Sequence, residues 1–216
     1  VLGEEHGGRI EESGITWIVD PIDGTTNYLY DHPGYAVSVA AWAGGRPLVG
    51  VVEDPTHGRT YFALRAGGSF CGTRVDPGNP TEGAQRLRLA DPAPLGQMLV
   101  ATGFGYDPQR RAEQGGVAAA LLPRIRDIRR MGAAAVDLCS VAAGRVDAYY
   151  EAGLSIWDLA AGQLIASEAG AAVEAIEGGP ARPGSVLAAH PGRIRELREA
   201  LFDCEVARTL PGPGQP

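Results

Sequence analysis

The chain has 216 residues, which is enough for one large domain or two small lobes around a hydrophobic core. Hydrophobic residues make up 44% and charged residues 21% of the sequence, as in an ordinary globular protein. The net charge of −7 argues against a nucleic-acid partner, because nucleic acids select a basic surface. An anionic substrate would therefore need help from bound cations.

Two further features indicate the cellular setting. No run of apolar residues approaches the roughly 20 that a membrane-spanning helix needs, and the first residues lack a signal pattern, so no membrane partner is expected. Cys71, Cys139 and Cys204 are odd in number and widely spaced, which fits neither a disulfide framework nor a zinc site. These thiols indicate a reduced, cytoplasmic protein.

The first half of the chain is predicted to be mostly β. The predicted strands, which share apolar or β-branched residues and flanking turn signals, are 15–19, 35–42, 48–52, 59–64, 87–89 and 99–101. The first is expected to be buried and to end at Pro21, with a turn at residues 24–27. Gly-Gly pairs mark hairpin turns, so an antiparallel meander is expected.

The second half alternates between helices and strands. Helices are predicted at 112–122, 133–143, 158–169 and 194–201, and strands at 146–150, 171–176 and 186–188. We interpret the chain as one domain, 1–216, with sub-lobes at about 1–123 and 124–205. Residues 206–216 are predicted to be a disordered tail, because Pro and Gly are frequent there.

The most informative stretch, residues 17–27, has the sequence WIVDPIDGTTN. Asp20 follows the predicted strand and Asp23 lies three residues later, so the two carboxylates leave the strand together. A lone pair of acids here would be typical of a capped turn. Gly24 and the residues after it add free backbone N–H groups. Acids that can hold a cation beside amides that can hold an anion indicate a metal-dependent phosphate site.

Two more candidates are acidic. Ser155 and Asp158 have the spacing of a capping box, which would suffice to explain them. The helix dipole would also keep Asp158 ionised, as a metal ligand must be. Glu4 and Glu5 lie near the chain end, where a solvated pair of acids is typical.

The last candidates lie in the second half. Glu151 ends a predicted strand and would, taken alone, be a surface acid. Gly132, Ala133 and Ala134 open a predicted helix, whose first amides can face a ligand, although a tightly packed helix start is the simpler interpretation.

These motifs occur together in one known family. The chain resembles the inositol monophosphatase family, and most of all its bacterial, actinobacterial members. The family's two signatures correspond to residues 17–27 and 157–170, and Gly3-Glu4-Glu5 lies upstream of the first, as expected. Further matching segments are 101–106, 126–130, 132–137 and 147–151. The resemblance covers residues 1–202.

The resemblance implies an α/β fold of the α+β kind, a layered αβαβα sandwich typical of sugar phosphatases. Relatives carry a helical segment and a hairpin before the position of Gly3, so the N-terminal helical part is expected to be missing from this sequence. That absence is expected to expose apolar sheet surface. It also bears on the homodimer and on a third cation site, both of which the family implies.

The resemblance implies Mg²⁺, as two or three ions, which hard oxygen ligands also favour. The implied metal ligands are Glu4, Asp20, the carbonyl of Ile22, Asp23 and Asp158. The implied catalytic residues are Glu4, Asp20 and Thr25, with Thr25, oriented by Glu4, positioning the attacking water. The implied substrate-binding residues are Asp23, Gly24, Thr25, Gly132, Ala133, Ala134, Glu151 and Asp158.

The implied function is an enzyme, a lithium-sensitive phosphatase that hydrolyses inositol 1-phosphate or a related sugar-alcohol phosphate by metal-activated water. Three other substrates stay open: histidinol phosphate, fructose 1,6-bisphosphate and a 3′-phosphoadenosine nucleotide. Thr26 favours the inositol type, because many histidinol-phosphate relatives carry Lys at that point. A front-truncated, non-catalytic binding protein is the alternative of a different class.

Overall fold

A computed structural model of the chain describes residues 1–5, 7–11, 13–73, 75–76 and 78–210. Two β-sheets alternate with two layers of helices, which confirms the predicted α/β class. The strands are β1 (Leu2–Gly3), β2 (Ile15–Asp23), β3 (Ala36–Ala43), β4 (Arg46–Asp54), β5 (Arg59–Leu64), β6 (Gly68–Gly72), β7 (Gln85–Leu87), β8 (Leu99–Thr102), β9 (Asp127–Arg129), β10 (Ala148–Ala152), β11 (Ala172–Glu174) and β12 (Ser185–Ala189).

The α-helices are α1 (Thr25–Leu29), α2 (Pro108–Leu121), α3 (Ala134–Ala142), α4 (Ile156–Leu159), α5 (Gly162–Glu168) and α6 (Ile194–Asp203). Short 3₁₀ helices lie at Leu95–Gln97, Leu122–Arg124 and Val206–Thr209. Within the described ranges no helix is both long and apolar enough to cross a membrane.

The first sheet contains β1 to β7 in sequence order. Neighbours from β2 to β7 are antiparallel, which confirms the predicted meander, whereas β1 runs parallel to β2. The sequence patterns missed β1 and β6, because neither shows the alternation that marked the other strands.

One face of this sheet is covered and the other is open among the described residues. Ile18 faces the helix layer and is buried, so the predicted buried strand is only half right. Ile15, Trp17, Val37 and Leu64 are exposed on the opposite face, because successive residues of a strand point to opposite sides. A fold whose sheets are covered on both faces rarely exposes so many apolar side chains on one sheet.

The end of β2 departs from the sequence prediction. The strand does not stop at Pro21 but continues to Asp23, with irregular pairing to β3 between Asp20 and Asp23. The predicted turn at 24–27 is the first part of α1, a single turn of α-helix. Gly24, the residue before this helix, has a left-handed backbone conformation (φ 86°). A bulged strand end can bend while keeping its neighbours paired, which is why proline is tolerated here.

The second sheet has the order β11-β12-β10-β8-β9. Helices α3 and α5 fill the space between the two sheets. Helices α2 and α6 cover the opposite face of the second sheet. Large side chains such as Leu138, Tyr149, Ile165, Leu187 and Leu197 are fully buried in these layers.

Small residues allow α5 to approach both neighbours closely. A Cβ atom built on Gly50 of β4 would lie 2.7 Å from the carbonyl oxygen of Ala161. One built on Gly162 would lie 2.8 Å from Cδ1 of Leu138 in α3. The helix layer therefore packs against the first sheet through backbone contact that no larger residue at these positions would permit.

Three sequence predictions need correction or restatement. The chain passes between sheets after Leu87, so the predicted boundary near residue 123 falls inside the second-sheet half, and the division into lobes stays a prediction. The predicted helix 158–169 is two helices, α4 and α5, and begins earlier. The predicted tail is wrong at its start, because Val206 and Thr209 are buried in a 3₁₀ helix. Residues 211–216 lie outside the described residues.

We expect Gly50→Ala to lower the free energy of unfolding by about 1–3 kcal/mol, because the new methyl group would press on Ala161. For a chain of this size that corresponds to a fall in Tm of about 2–12 °C, measured by circular dichroism. Gly116→Ala, on the exposed side of α2 with no atom within 4 Å of its Cβ, is the matched control. It should raise stability by about 0.5–1 kcal/mol. Equal Tm values for the two variants would contradict the close contact.

Candidate active site

Two of the predicted acids lie at the end of β2. Asp20 and Asp23 are both buried. The Ile22 amide donates to Oδ1 of Asp20 (3.0 Å), and the Ala135 amide of α3 donates to Oδ2 of Asp23 (2.7 Å). These bonds fix the carboxylates to the backbone on two sides of the same corner.

A third acid reaches this corner from the second half of the chain. Asp158 lies in the first turn of α4, where it forms the predicted capping box with Ser155 and accepts from the Ser155 amide (2.7 Å). Helix α4 packs against β2 and β3. Oxygens of Asp20, Asp23 and Asp158 consequently lie within 4.8 Å of one another.

The pairing of β1 with β2 places Glu4 near these acids. The parallel register of β1 and β2 sets Leu2 opposite Ile18 and Gly3 opposite Val19, so Glu4, directly after β1, follows on beside Asp20 of β2. Glu4 is exposed and lines the same cavity as Asp20. Glu5 does not line it, so the structure brings only one member of the pair to the site.

Burial and mutual repulsion dominate the electrostatics of these acids. Burial, with repulsion from Asp158 and Glu4, raises the pKa of Asp20 to about 7. Burial and Asp158 raise the pKa of Asp23 well above its usual range, and burial with repulsion from Glu4 raises the pKa of Asp158 to about 6. An all-oxygen donor set under such charge repulsion fits a hard divalent cation, which would relieve the repulsion.

Gly24 and Thr25 lie beside the acids, at the start of α1. A Cβ atom on Gly24 would lie 2.7 Å from the Gly34 carbonyl oxygen, so only glycine permits this turn. The Thr25 hydroxyl donates to the Ile22 carbonyl oxygen (2.9 Å). Among the described residues it makes no hydrogen bond to Glu4, so the orientation of Thr25 by Glu4 stays a prediction.

Asn27 holds this corner against a distant segment, a role that the sequence analysis missed. Its Nδ2 atom donates to the carbonyl oxygens of Pro33 (3.1 Å), Gly34 (2.9 Å) and Met131 (2.7 Å). The residue was visible as the last position of the 17–27 motif, but its acceptors are far away in sequence. Asn27 therefore joins the α1 corner to the loop that precedes α3.

That loop brings the predicted helix start to the cavity. Gly132 (φ 101°) and Ala134 line the cavity wall. Ala133 does not line it, because its side chain is buried and lies against Gly24. Of the three predicted positions, two therefore border the cavity directly.

Glu151 faces the cavity from β10. Parallel pairing sets Tyr150 opposite Thr102, and a Cβ atom on Gly103, the next residue, would overlap the Glu151 carboxylate. The Tyr149 hydroxyl donates to Oε2 of Glu151 (2.7 Å). Burial raises the pKa of Glu151 to about 7, which the Tyr149 bond and the charge of Arg130 oppose.

These residues surround one cavity of about 300 Å³. The sequence-predicted residues that line it are Glu4, Asp20, Ile22, Asp23, Gly24, Thr25, Gly132, Ala134, Glu151 and Asp158. Gly103, Arg110 and Arg130 also line the cavity and were not predicted as site residues. Gly103 and Arg130 lie in segments that match the family, whereas no sequence pattern marked Arg110. One wall can hold cations and the adjoining amides can hold an anion, an arrangement suited to phosphate ester chemistry.

Comparison with known proteins agrees with this chemistry. The inositol monophosphatase family matches residues 1–206. Inositol-1-monophosphatase of Mycobacterium leprae is 45% identical over 208 residues, covering 93% of this chain and 69% of that protein. The structure of Mycobacterium tuberculosis SuhB is similar with a TM-score of 0.80 at 43% identity, covering 94% of this chain and 75% of that chain.

A further relative carries a different kind of name. Nus factor SuhB of Pasteurella multocida is 38% identical over 205 residues, covering 93% of this chain and 73% of that protein. The family match nevertheless extends over nearly the whole described chain and includes every acid at the cavity. The chain therefore belongs to the inositol monophosphatase family.

Proposed function

We propose that the protein is a Mg²⁺-dependent phosphatase that hydrolyses inositol 1-phosphate or a closely related sugar-alcohol phosphate. The observation that carries this proposal is the meeting of Asp20, Asp23 and Asp158 within 4.8 Å, at a cavity that Gly24 and Thr25 also line. Cation-binding and anion-binding groups then share one cavity, as hydrolysis of a phosphate ester requires. Membership of a metal-dependent phosphatase family supports the same reaction class.

The proposed ligands of two or three Mg²⁺ ions are Glu4, Asp20, the carbonyl of Ile22, Asp23 and Asp158. Asp20 is central to this set, because its carboxyl group lies within 4.8 Å of those of Asp23 and Asp158 and lines the same cavity as Glu4. The Ile22 carbonyl accepts from Thr25 and keeps a second lone pair for a cation. Bound Mg²⁺ would neutralise the acids and supply Lewis-acid activation of water and phosphate.

The nucleophile side is proposed to use Thr25 and Glu4. The hydroxyl proton of Thr25 is engaged by the Ile22 carbonyl, so its oxygen is left to accept a hydrogen bond from the attacking water. Glu4 borders the same cavity and can take the proton that this water loses. The amides of Gly24 and Thr25 are proposed to donate to the phosphate oxygens.

The alcohol side is proposed to lie against Gly132, Ala134 and Glu151. The Glu151 carboxylate is oriented by Tyr149 and can accept hydrogen bonds from sugar hydroxyls. Asp23 and Asp158 adjoin the same space, where they would contact both a cation and the alcohol part. Ala133 can contribute only through its backbone, since its side chain is buried away from the cavity.

We further propose a cytoplasmic homodimer that lithium inhibits. The resemblance to the family supports each of these properties, and the three widely spaced thiols support a reducing compartment.

A non-catalytic binding role is the alternative of a different class, and the Nus factor name of several relatives favours it. Turnover separates the two, because a binding protein would release no phosphate from any ester. Within the phosphatase class, profiling with histidinol phosphate, fructose 1,6-bisphosphate and a 3′-phosphoadenosine nucleotide separates the substrate alternatives.

We expect EDTA to reduce phosphate release from inositol 1-phosphate to background, because the acids then repel the phosphate instead of binding it through cations. Added Mg²⁺ should restore release, measured with a colorimetric phosphate assay. Circular dichroism before and after chelation is the control for unfolding. Full activity in the chelator would rule out the metal-dependent mechanism.

We expect Asp20→Asn to lower kcat by several orders of magnitude, because the variant removes a carboxylate that is proposed to hold Mg²⁺. Asp127→Asn is the matched control, since Asp127 lies in a surface ion pair with Arg129 outside the cavity. A loss below about tenfold in Asp20→Asn would contradict the assigned role.

A further inference from the structure

Two loops form a part of the cavity wall that the proposed chemistry does not use. They follow β8 and β10, and Arg110, in the first turn of α2, passes between them. A Cβ atom on Gly153 would lie 2.9 Å from Nη1 of Arg110, and one on Gly105 would lie 3.4 Å from its Cδ. Arg110 is half-buried as a residue, and its guanidinium lies over Gly153, in a channel that two glycines leave open.

The backbone around Arg110 is held by side-chain hydrogen bonds. Asp107 caps α2 by accepting from the Arg110 amide (2.8 Å). Gln114, which is only 6% exposed, accepts from the Gly105 amide (2.8 Å) and donates to the Ala152 carbonyl (3.1 Å). One buried amide side chain thus joins both loops. A donor on such a fixed backbone loses less conformational entropy when it binds a ligand.

Arg110 has no anionic partner in the part of the chain that the structure describes. Its guanidinium makes no hydrogen bond there, and no carboxylate oxygen lies within 4.0 Å of it. Arg130, the other arginine at the cavity, does act on carboxyl groups. Burial raises the pKa of Glu151 and of Asp137, and the positive charge of Arg130 opposes both increases. Arg110 therefore brings unpaired N–H donors to the cavity edge.

We propose that Arg110 is a second anion-binding subsite, and that this protein prefers phosphate esters whose alcohol part carries a second phosphate group. The inference rests on the proposed function, which puts the reacting phosphate beside the acids and Gly24. The alcohol part then extends past Glu151 toward Gly153, where the guanidinium lies. A guanidinium holds phosphate through two parallel N–H···O bonds, which a neutral sugar hydroxyl cannot match.

The test compares kcat/KM for myo-inositol 1-phosphate with that for myo-inositol 1,4-bisphosphate and fructose 1,6-bisphosphate, with Mg²⁺ present. In the wild-type protein the ratio of bisphosphate to monophosphate should exceed one for at least one bisphosphate. In Arg110→Gln that ratio should fall by at least about tenfold, because a charge-assisted pair is lost. Arg110→Lys, which keeps the charge and loses the planar fork, should give an intermediate ratio.

Arg111→Gln is the matched control. Arg111 lies outside the cavity and donates to the Tyr106 carbonyl (3.1 Å), so this variant removes the same charge and loosens the same loop. Its ratio should stay within about twofold of the wild type, as for a surface substitution. The subsite is overturned by an unchanged ratio in Arg110→Gln, an equal fall in Arg111→Gln, or a wild-type ratio below one for both bisphosphates.

A failure of the proposed function is recognised separately, because no ester, inositol 1-phosphate included, would then release phosphate. In that case, calorimetric binding of the two bisphosphates decides the inference. A Kd that rises in Arg110→Gln and not in Arg111→Gln supports the subsite. Equal Kd values for the two variants overturn it.

Discussion

Three carboxyl groups that repel one another, two of them buried and the third, of Asp158, half-buried, are the constraint on which the rest of this structure depends. One oxygen of each lies within 4.8 Å of the others, so charge repulsion favours moving the groups apart or protonating them. A hydrogen bond from one backbone amide to each carboxyl group holds it in place. The pairs are Ile22 to Asp20, Ala135 to Asp23 and Ser155 to Asp158. The end of β2, the start of α3 and the cap of α4 therefore all meet at the same corner.

The two halves of the chain can meet at this corner because the backbones approach closely. Gly24 lies against Gly34 and Gly132, where any Cβ atom would be too near a carbonyl oxygen or a neighbouring side chain. Asn27 joins the same segments by donating to three carbonyl groups. Polar groups buried at such a junction are stabilising only when they are paired, and here the pairing also sets the distance between the elements.

The parts of the site that could be predicted are those written in local sequence. Residues 17–27 combine a strand, two acids and a glycine turn, so Asp20 and Asp23 could be identified from their neighbours. Asp158 needed the family resemblance, because a capping box explains it equally well. The position of Arg110 at the cavity could not be predicted, since it depends on loops that meet only in the folded protein. The burial of Val206 was missed for the same reason, because tail composition carries no information about what α6 and α2 leave uncovered.

Gln114 has a consequence for how proteins of this architecture can diverge. Its one amide side chain ties the loop after β8 to the end of β10, so this wall of the cavity has a support of its own besides the amide donors of the acid corner. Side chains on that wall can then be exchanged by drift or selection while the carboxyl groups keep their backbone donors. Descendants of one ancestral sequence could in this way acquire new preferences in small steps, each leaving the ancestral hydrolytic machinery intact.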